Sequence, residues 1–172
     1  MSFINANQGK AYAPGWFLAD NEACERKTRQ MAAANGVTGD NGGKYIPMGS
    51  AWPSNDGNAA GIVYEDVDVT TGDMPGSVVL SGTVYEDRLA VTGASYGAAS
   101  PASGDNPKEK GWYERSGSSP NYVYTLTTDT TVDSQKTYYV KTDARLASAA
   151  KTALAALGFK FVATSPAVTR PY

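Results

Sequence analysis

The chain has 172 residues, a mass of 18.1 kDa and a net charge of −2, which allows one domain with a sizeable core or one domain carrying a small inserted module, and excludes a large multidomain enzyme. Without a long basic run there is no electrostatic footprint for nucleic acid. Without a long apolar stretch or a leader-like start, neither a membrane span nor secretion is expected, and folding in a cytoplasm fits best. There is no histidine, which removes the usual general base and the commonest metal ligand, and the single cysteine, Cys24, permits no internal disulfide.

In chain order, residues 1–17 read as an extended arm of small and polar residues, including Pro14, that ends at Trp16 and Phe17 and orders only when something docks it. The run DNEACERKTRQMAAAN over 20–35 starts on an N-cap type residue and stops at Gly36, which predicts a helix, although its apolar stripe is thin and its charged face fits a solvated surface. Turn residues 39–43 lead into KYIPMGSAW, a strand interrupted by Pro47. Residues 61–89 carry Val-Tyr-Glu-Asp twice, at 63–66 and 84–87. The alternation there predicts an antiparallel hairpin. In its first strand Val63, Glu65, Val67 and Val69 share one side, and Ile62, Tyr64, Asp66 and Asp68 share the wetter one; in its second, Val78, Leu80 and Val84 share a face.

Residues 93–108 are so rich in small residues, Gly and Pro that they read as a linker, followed at 109–142 by three short β-type runs forming a small hairpin module. From Asp143 the period changes to that of a helix: Leu146, Ala149, Ala150, Ala153, Leu154 and Leu157 recur at three- and four-residue spacing, Asp143 is placed to cap it and Gly158 to end it. The remaining FKFVATSPAVTRPY reads as a strand and a Pro-limited tail. The predicted fold is mainly β (α+β), a small sandwich or barrel-like domain with one C-terminal helix, an extended arm and an inserted β-hairpin module.

The chemistry that remains is acidic. Glu65, Asp66, Asp68, Asp73, Glu86 and Asp87 lie close in sequence and, in a hairpin, close in space. Two of them could pair for glycoside hydrolysis, or several could surround calcium, but the spacing supports neither, and the DxDxTxGD run over 66–73 lacks the twelve-residue calcium-loop pattern with its closing Glu. No catalytic residue, metal ligand or cofactor is assigned. The acids fit a solvated or subunit-facing sheet surface, paired with Arg88, Lys44 or a neighbouring chain. Trp112, Tyr113, Tyr122, Tyr124, Tyr138 and Tyr139 can stack on sugars, though cross-strand tyrosine pairs more commonly stabilise a small sheet.

The segment from Lys44 to Leu89 resembles the central part of tailed-phage head decoration proteins, the capsid cement proteins related to that of phage lambda. Pro47, Gly49, Gly61, Ile62, Asp66, Val67, Asp68, Thr70, Gly72, Asp73, Gly82 and Val84 match that family's run of strand and turn residues, and Leu146 to Val162 is similar to its Ala-rich helix and following strand. The likeness covers roughly 17–92 and 143–172. Residues 93–142 have no counterpart in it; GWYERSGSSPNYVYTLTTDTTVDSQKTYYVK resembles short modules of phage virion and head-fibre proteins. The resemblance implies a non-enzymatic homotrimer on the virion exterior that cements the major capsid protein. It implies a capsid-binding arm at 1–17 carrying Tyr12, Pro14, Trp16 and Phe17, and a trimerisation domain of 18–92 plus 143–172. A core and subunit-contacting hairpin would be built on Ile62, Tyr64, Asp66, Asp68, Val84, Tyr85 and Arg88. An alternative of another class makes the chain a fibre-like adhesin that binds surface glycans through Trp112, Tyr122, Tyr124 and Tyr138.

Overall fold

A computed structural model describes residues 13–20, 24–40 and 42–166. The fold is mainly β: of the described residues, 39% are strand and 10% helical. Its strands are β1 (Glu25–Met31), β2 (Val37–Thr38), β3 (Lys44–Ile46), β4 (Ala51–Trp52), β5 (Gly61–Val63), β6 (Val67–Asp68), β7 (Met74–Ser81), β8 (Thr83–Tyr85), β9 (Gly93–Ala98), β10 (Tyr113–Ser118), β11 (Asn121–Leu126), β12 (Tyr138–Ala144) and, after the helix α1 (Ser148–Ala156), β13 (Lys160–Val162). Two compact units result: residues 1–92 with 145–172, and 93–144.

In the first unit a four-stranded sheet of order β1-β7-β5-β4 carries apolar side chains on both faces. Ile62 and Val79 enter one cluster with Phe17, Leu89, Leu154 and Phe159; their sequence neighbours Val63 and Val78 enter the other with Met31, Ile46, Val67 and Val69. Strand alternation does this: successive residues of a central strand point to opposite faces, so a strand covered on both sides must be apolar throughout. The first face is covered by α1, the parallel β8–β13 pair and residues 17–18, the second by the small sheet β2-β3-β6. The first unit is therefore layered about β5 and β7. Ile62 has no solvent exposure, so the side expected to be wetter also carries core.

The helix expected over 20–35 is absent: the described part of that run is β1 and a 3-10 turn at Ala33–Asn35. A helix there would bury little apolar area. As a strand, ERKTRQM pairs antiparallel with β7 from Glu25 to Met31, inserts Met31 into the core and lays Arg26 over Tyr64 and Arg29 over Trp52. Satisfying the backbone edge of β7 outweighs local propensity. The expected hairpin also differs. Its first strand breaks after Val63; β5 pairs with β7, while β6 turns away to pair with β3. At Gly61 a β-carbon would sit 2.3 Å from Val78 and 2.6 Å from the Val79 carbonyl, so only glycine permits this strand approach.

The second unit is a sheet of order β11-β10-β12-β9. Its first strand is made from residues expected to be linker: Gly93–Ala98 pairs with Ala144–Tyr139 in β12. A segment too apolar-poor to fold alone takes strand form when a neighbour supplies backbone partners. Asp143 likewise lies in β12, and α1 is capped at Ala147 without a side-chain bond, so the expected cap at Asp143 is not made. Of the helical positions singled out, Ala150 and Leu154 are fully buried, and Leu157 is half exposed because the helix has ended. Gly158 does end it, with φ of 97°.

Candidate functional site

The two Val-Tyr-Glu-Asp copies use one local device twice. In each, the valine is fully buried, Val63 in one cluster and Val84 in the other. In each, the tyrosine ring lies under a guanidinium, Tyr64 beneath Arg26 at 4.4 Å and Tyr85 beneath Arg88 at 4.7 Å. In each, the aspartate accepts a hydrogen bond from a distant backbone: Asp66 from the Met48 N–H at 2.7 Å, Asp87 from the Ser165 N–H at 3.0 Å.

Between the copies sits the segment 13–19. Gly15 N–H donates to the Tyr64 carbonyl at 2.8 Å, Tyr85 N–H to the Phe17 carbonyl at 2.8 Å, and Ala19 N–H to the Thr83 carbonyl at 2.8 Å, while Leu18 bridges Val84. Phe17 is fully buried and is core, which corrects its assignment to the capsid-contacting arm. Its ring removes about 3 kcal/mol worth of apolar surface from water at most, enough to fix the segment to its own fold. Pro14 is exposed, Trp16 is partly buried, and Tyr12 lies outside the described residues.

The second copy continues into a 3-10 turn, Glu86–Arg88, whose three consecutive side chains hold three separate pieces of chain. Glu86 accepts from the Lys151 ammonium at 2.7 Å and so holds α1. Asp87 also accepts the Ser165 hydroxyl at 2.7 Å and so holds the segment after β13. Arg88 donates through Nη1 to the Trp16 carbonyl at 3.1 Å and through Nη2 to the Pro166 carbonyl at 3.4 Å, its guanidinium 4.0 Å from the centre of the Trp16 ring. Its Nε is buried, with no acceptor among the described residues. Burial raises the Asp87 pKa, but the Ser165 hydroxyl and N–H and the Arg88 charge outweigh that and hold the carboxyl below its ordinary value. Sequence reading singled out Arg88 but missed the grip, because its partners are 72 and 78 residues away.

The acids are not gathered. Asp68 accepts from the Thr70 N–H at 2.9 Å, Asp73 from the Ala33 N–H at 2.8 Å, and Asp66, Glu86 and Asp87 serve the separate partners above. The expected closeness in space fails because β6 leaves the hairpin. Among the described residues no three His, Cys, Asp or Glu side chains are placed to hold a metal ion.

In the second unit Trp112 and Tyr138 are buried, 7% and 1% exposed, which corrects their assignment to a glycan-binding surface: they form the core of a sheet too small to have an aliphatic one. Tyr96 and Tyr124 stack in parallel with centroids 3.9 Å apart, Tyr113 and Tyr139 meet them edge-on, and Tyr122 lies under Arg115 at 4.3 Å. The ring faces that a sugar would cover are thus largely occupied within the unit. Beside them Tyr138 donates to Asp129 at 2.6 Å and accepts from the Asp133 N–H, and the Lys136 ammonium lies 2.9 Å from Asp129 and 3.3 Å from Glu114. The Tyr138 and Lys136 hydrogen bonds hold Asp129 below its ordinary pKa, and Asp129 in turn raises that of Lys136. Comparison of the chain with family models, with curated proteins and with solved structures finds no match in any of the three.

Proposed function

We propose that this chain is a capsid decoration protein: a non-enzymatic virion component that binds the outside of an expanded phage head as a trimer and stabilises the lattice of major capsid protein. The observation that carries the reading is the anchored base of the arm. Residues 13–19 are hydrogen-bonded between the two Val-Tyr-Glu-Asp copies, so whatever residues 1–12 grip is tied directly to the core. An arm of small and polar residues suits addition of backbone hydrogen bonds to an exposed strand of a capsid subunit. Binding the expanded lattice and not its precursor then stabilises the shell by mass action over many equivalent sites, with no bond broken and no cofactor required. The Asp and Glu side chains at the site act as backbone acceptors or ion-pair partners, which fits adhesion better than hydrolysis.

Support for the glycan-binding alternative is weaker. It would rest on Tyr122 and Tyr124 alone, since Trp112 and Tyr138 are core.

The test uses expanded heads stripped of this chain and taken from the particle whose genome encodes it. The full chain is expected to redecorate them, and a chain lacking residues 1–12 to remain folded and trimeric but unbound. The cut belongs at residue 12, because removing 13–17 also removes Phe17 from the core. Bare heads after incubation with the full chain overturn the reading; full occupancy by the truncated chain overturns the role of the arm.

A further inference from the structure

We propose that β11 is a docking edge for a second copy of this chain: two β11 strands pair antiparallel about a twofold axis at Tyr124, joining two copies of the second unit into one continuous sheet. Three strands of six or more residues end a sheet, β1, β9 and β11. An end strand presents a row of unpaired N–H and C=O groups, and proteins commonly blunt such rows with charge or proline. β1 carries Arg26, Lys27 and Arg29, the last two on one face. β9, Gly93–Ala98, has only Tyr96 among glycine, alanine and serine, so it offers little apolar surface. β11 has neither a charge nor a proline, and its Tyr122, Val123 and Leu126 are 40%, 56% and 60% exposed. β10 takes one side of its backbone; among the described residues no main-chain group of 121–126 has a partner on the other.

The occupant that fits this edge is the edge itself. Opposed residues of an antiparallel pair lie on the same face, so a twofold at Tyr124 sets Tyr122 of each copy against Leu126 of the other, and Val123 of each against Thr125 of the other. One pair is aromatic with aliphatic, the second joins two β-branched residues, and no charge meets a like charge. Tyr124 itself leaves room on the axis, because its ring turns inward to stack on Tyr96 from the opposite end of the sheet. The same operation on β1, centred on Thr28, would set Lys27 against Arg29 twice, so β1 repels its own copy where β11 accepts it. Three half-exposed side chains bring on the order of 300 Å² per copy, well short of the roughly 800 Å² per partner of a stable complex. The pairing is therefore weak between free molecules and takes hold where copies are crowded, as they are side by side on a decorated head, a consequence that rests on the decoration reading.

The experiment follows backbone amide resonances of the free full chain from about 10 μM to about 1 mM, the range in which so small a contact associates. Concentration-dependent shifts are expected at 121–126 and in the paired residues of β10. Val123→Glu and Thr125→Lys alter exposed side chains, and each alone is expected to remove those shifts. The two together, which set opposite charges across the twofold pair, are expected to restore them. Shifts at 121–126 that are absent up to about 1 mM, or that persist in both single variants, overturn the inference. Failure of the double variant to restore them overturns the pairing about Tyr124. Shifts confined to the first unit assign self-association to the trimer of the decoration reading and overturn the role of β11. Because no heads are used, each of these results leaves the decoration reading standing.

Discussion

The two units bury different chemistry. Residues 1–92 and 145–172 enclose valines, isoleucines, leucines and two phenylalanines in two clusters on either side of one sheet. Residues 93–144 enclose Trp112, Tyr138, Tyr139 and the hydroxyl of Thr127, with a lysine set between two carboxylates at the margin. The first arrangement depends on apolar burial, which is indifferent to pH and strengthened by salting-out ions; the second leans on aromatic contacts and charged hydrogen bonds, which titrate and are screened. The contrast matches the roles proposed for them. A unit that clamps a lattice needs a stiff core, whereas an inserted unit needs only to keep its own shape.

The largest effect separating the units is expected from Phe17→Ala, which should cost the first about 3–5 kcal/mol through cavity formation. Denaturant unfolding followed by amide hydrogen exchange should show protection lost around β5 and β7 and kept in β10–β12; equal loss in both would mean that they unfold as one. Next comes Tyr138→Phe. It removes the hydroxyl that donates to Asp129 and accepts from Asp133, so exchange should quicken in the second unit alone.

Acid bears on the same contrast. The folded pKa of Asp129 lies below its unfolded value, so its contribution is complete above about pH 4 and is lost as the pH falls through the lower folded value. The surroundings of Trp112 should therefore loosen as the pH falls below about 4, as its indole resonance would report, and the Asp87 grip of the first unit, whose folded pKa is also lowered, should weaken in the same direction. Lys136 works in the opposite sense: its folded pKa is raised, so its contribution is intact below about pH 10 and lost only above that. The smallest expected change comes from excision. The Thr92 hydroxyl donates to the Arg145 carbonyl at 2.6 Å, and the Asn55 amide donates to the same oxygen at 2.8 Å. Joining residue 92 to 145 through two glycines should leave the melting temperature of the first unit within a few degrees; a collapse of that unit would show that the insert supports it.

Much of the secondary structure was legible because short-range physics decides it. The turn glycines, the alternation of Val78 and Leu80 and the helical spacing of Ala150 and Leu154 need no knowledge of distant chain, whereas Val84, expected on the same face as Val78 and Leu80, enters the opposite cluster. The misreadings share one cause. ERKTRQM became a strand because β7 had an edge to pair, GASYGA because β12 did, and the hairpin split because β3 drew β6 away. In each case the partner was remote and its backbone groups outweighed local preference.

For the candidate site the sequence by itself determined the ingredients: two copies of Val-Tyr-Glu-Asp, no histidine and every acidic side chain between residues 20 and 143. Only the tertiary structure decided that the acids disperse, that Phe17 is core, and that Glu86, Asp87 and Arg88 hold α1, the segment after β13 and Trp16. The reason is geometric. Composition says which groups can carry charge or donate a hydrogen bond, but a grip between residues more than 70 positions apart exists only once the sheets between them have folded and brought the pieces together.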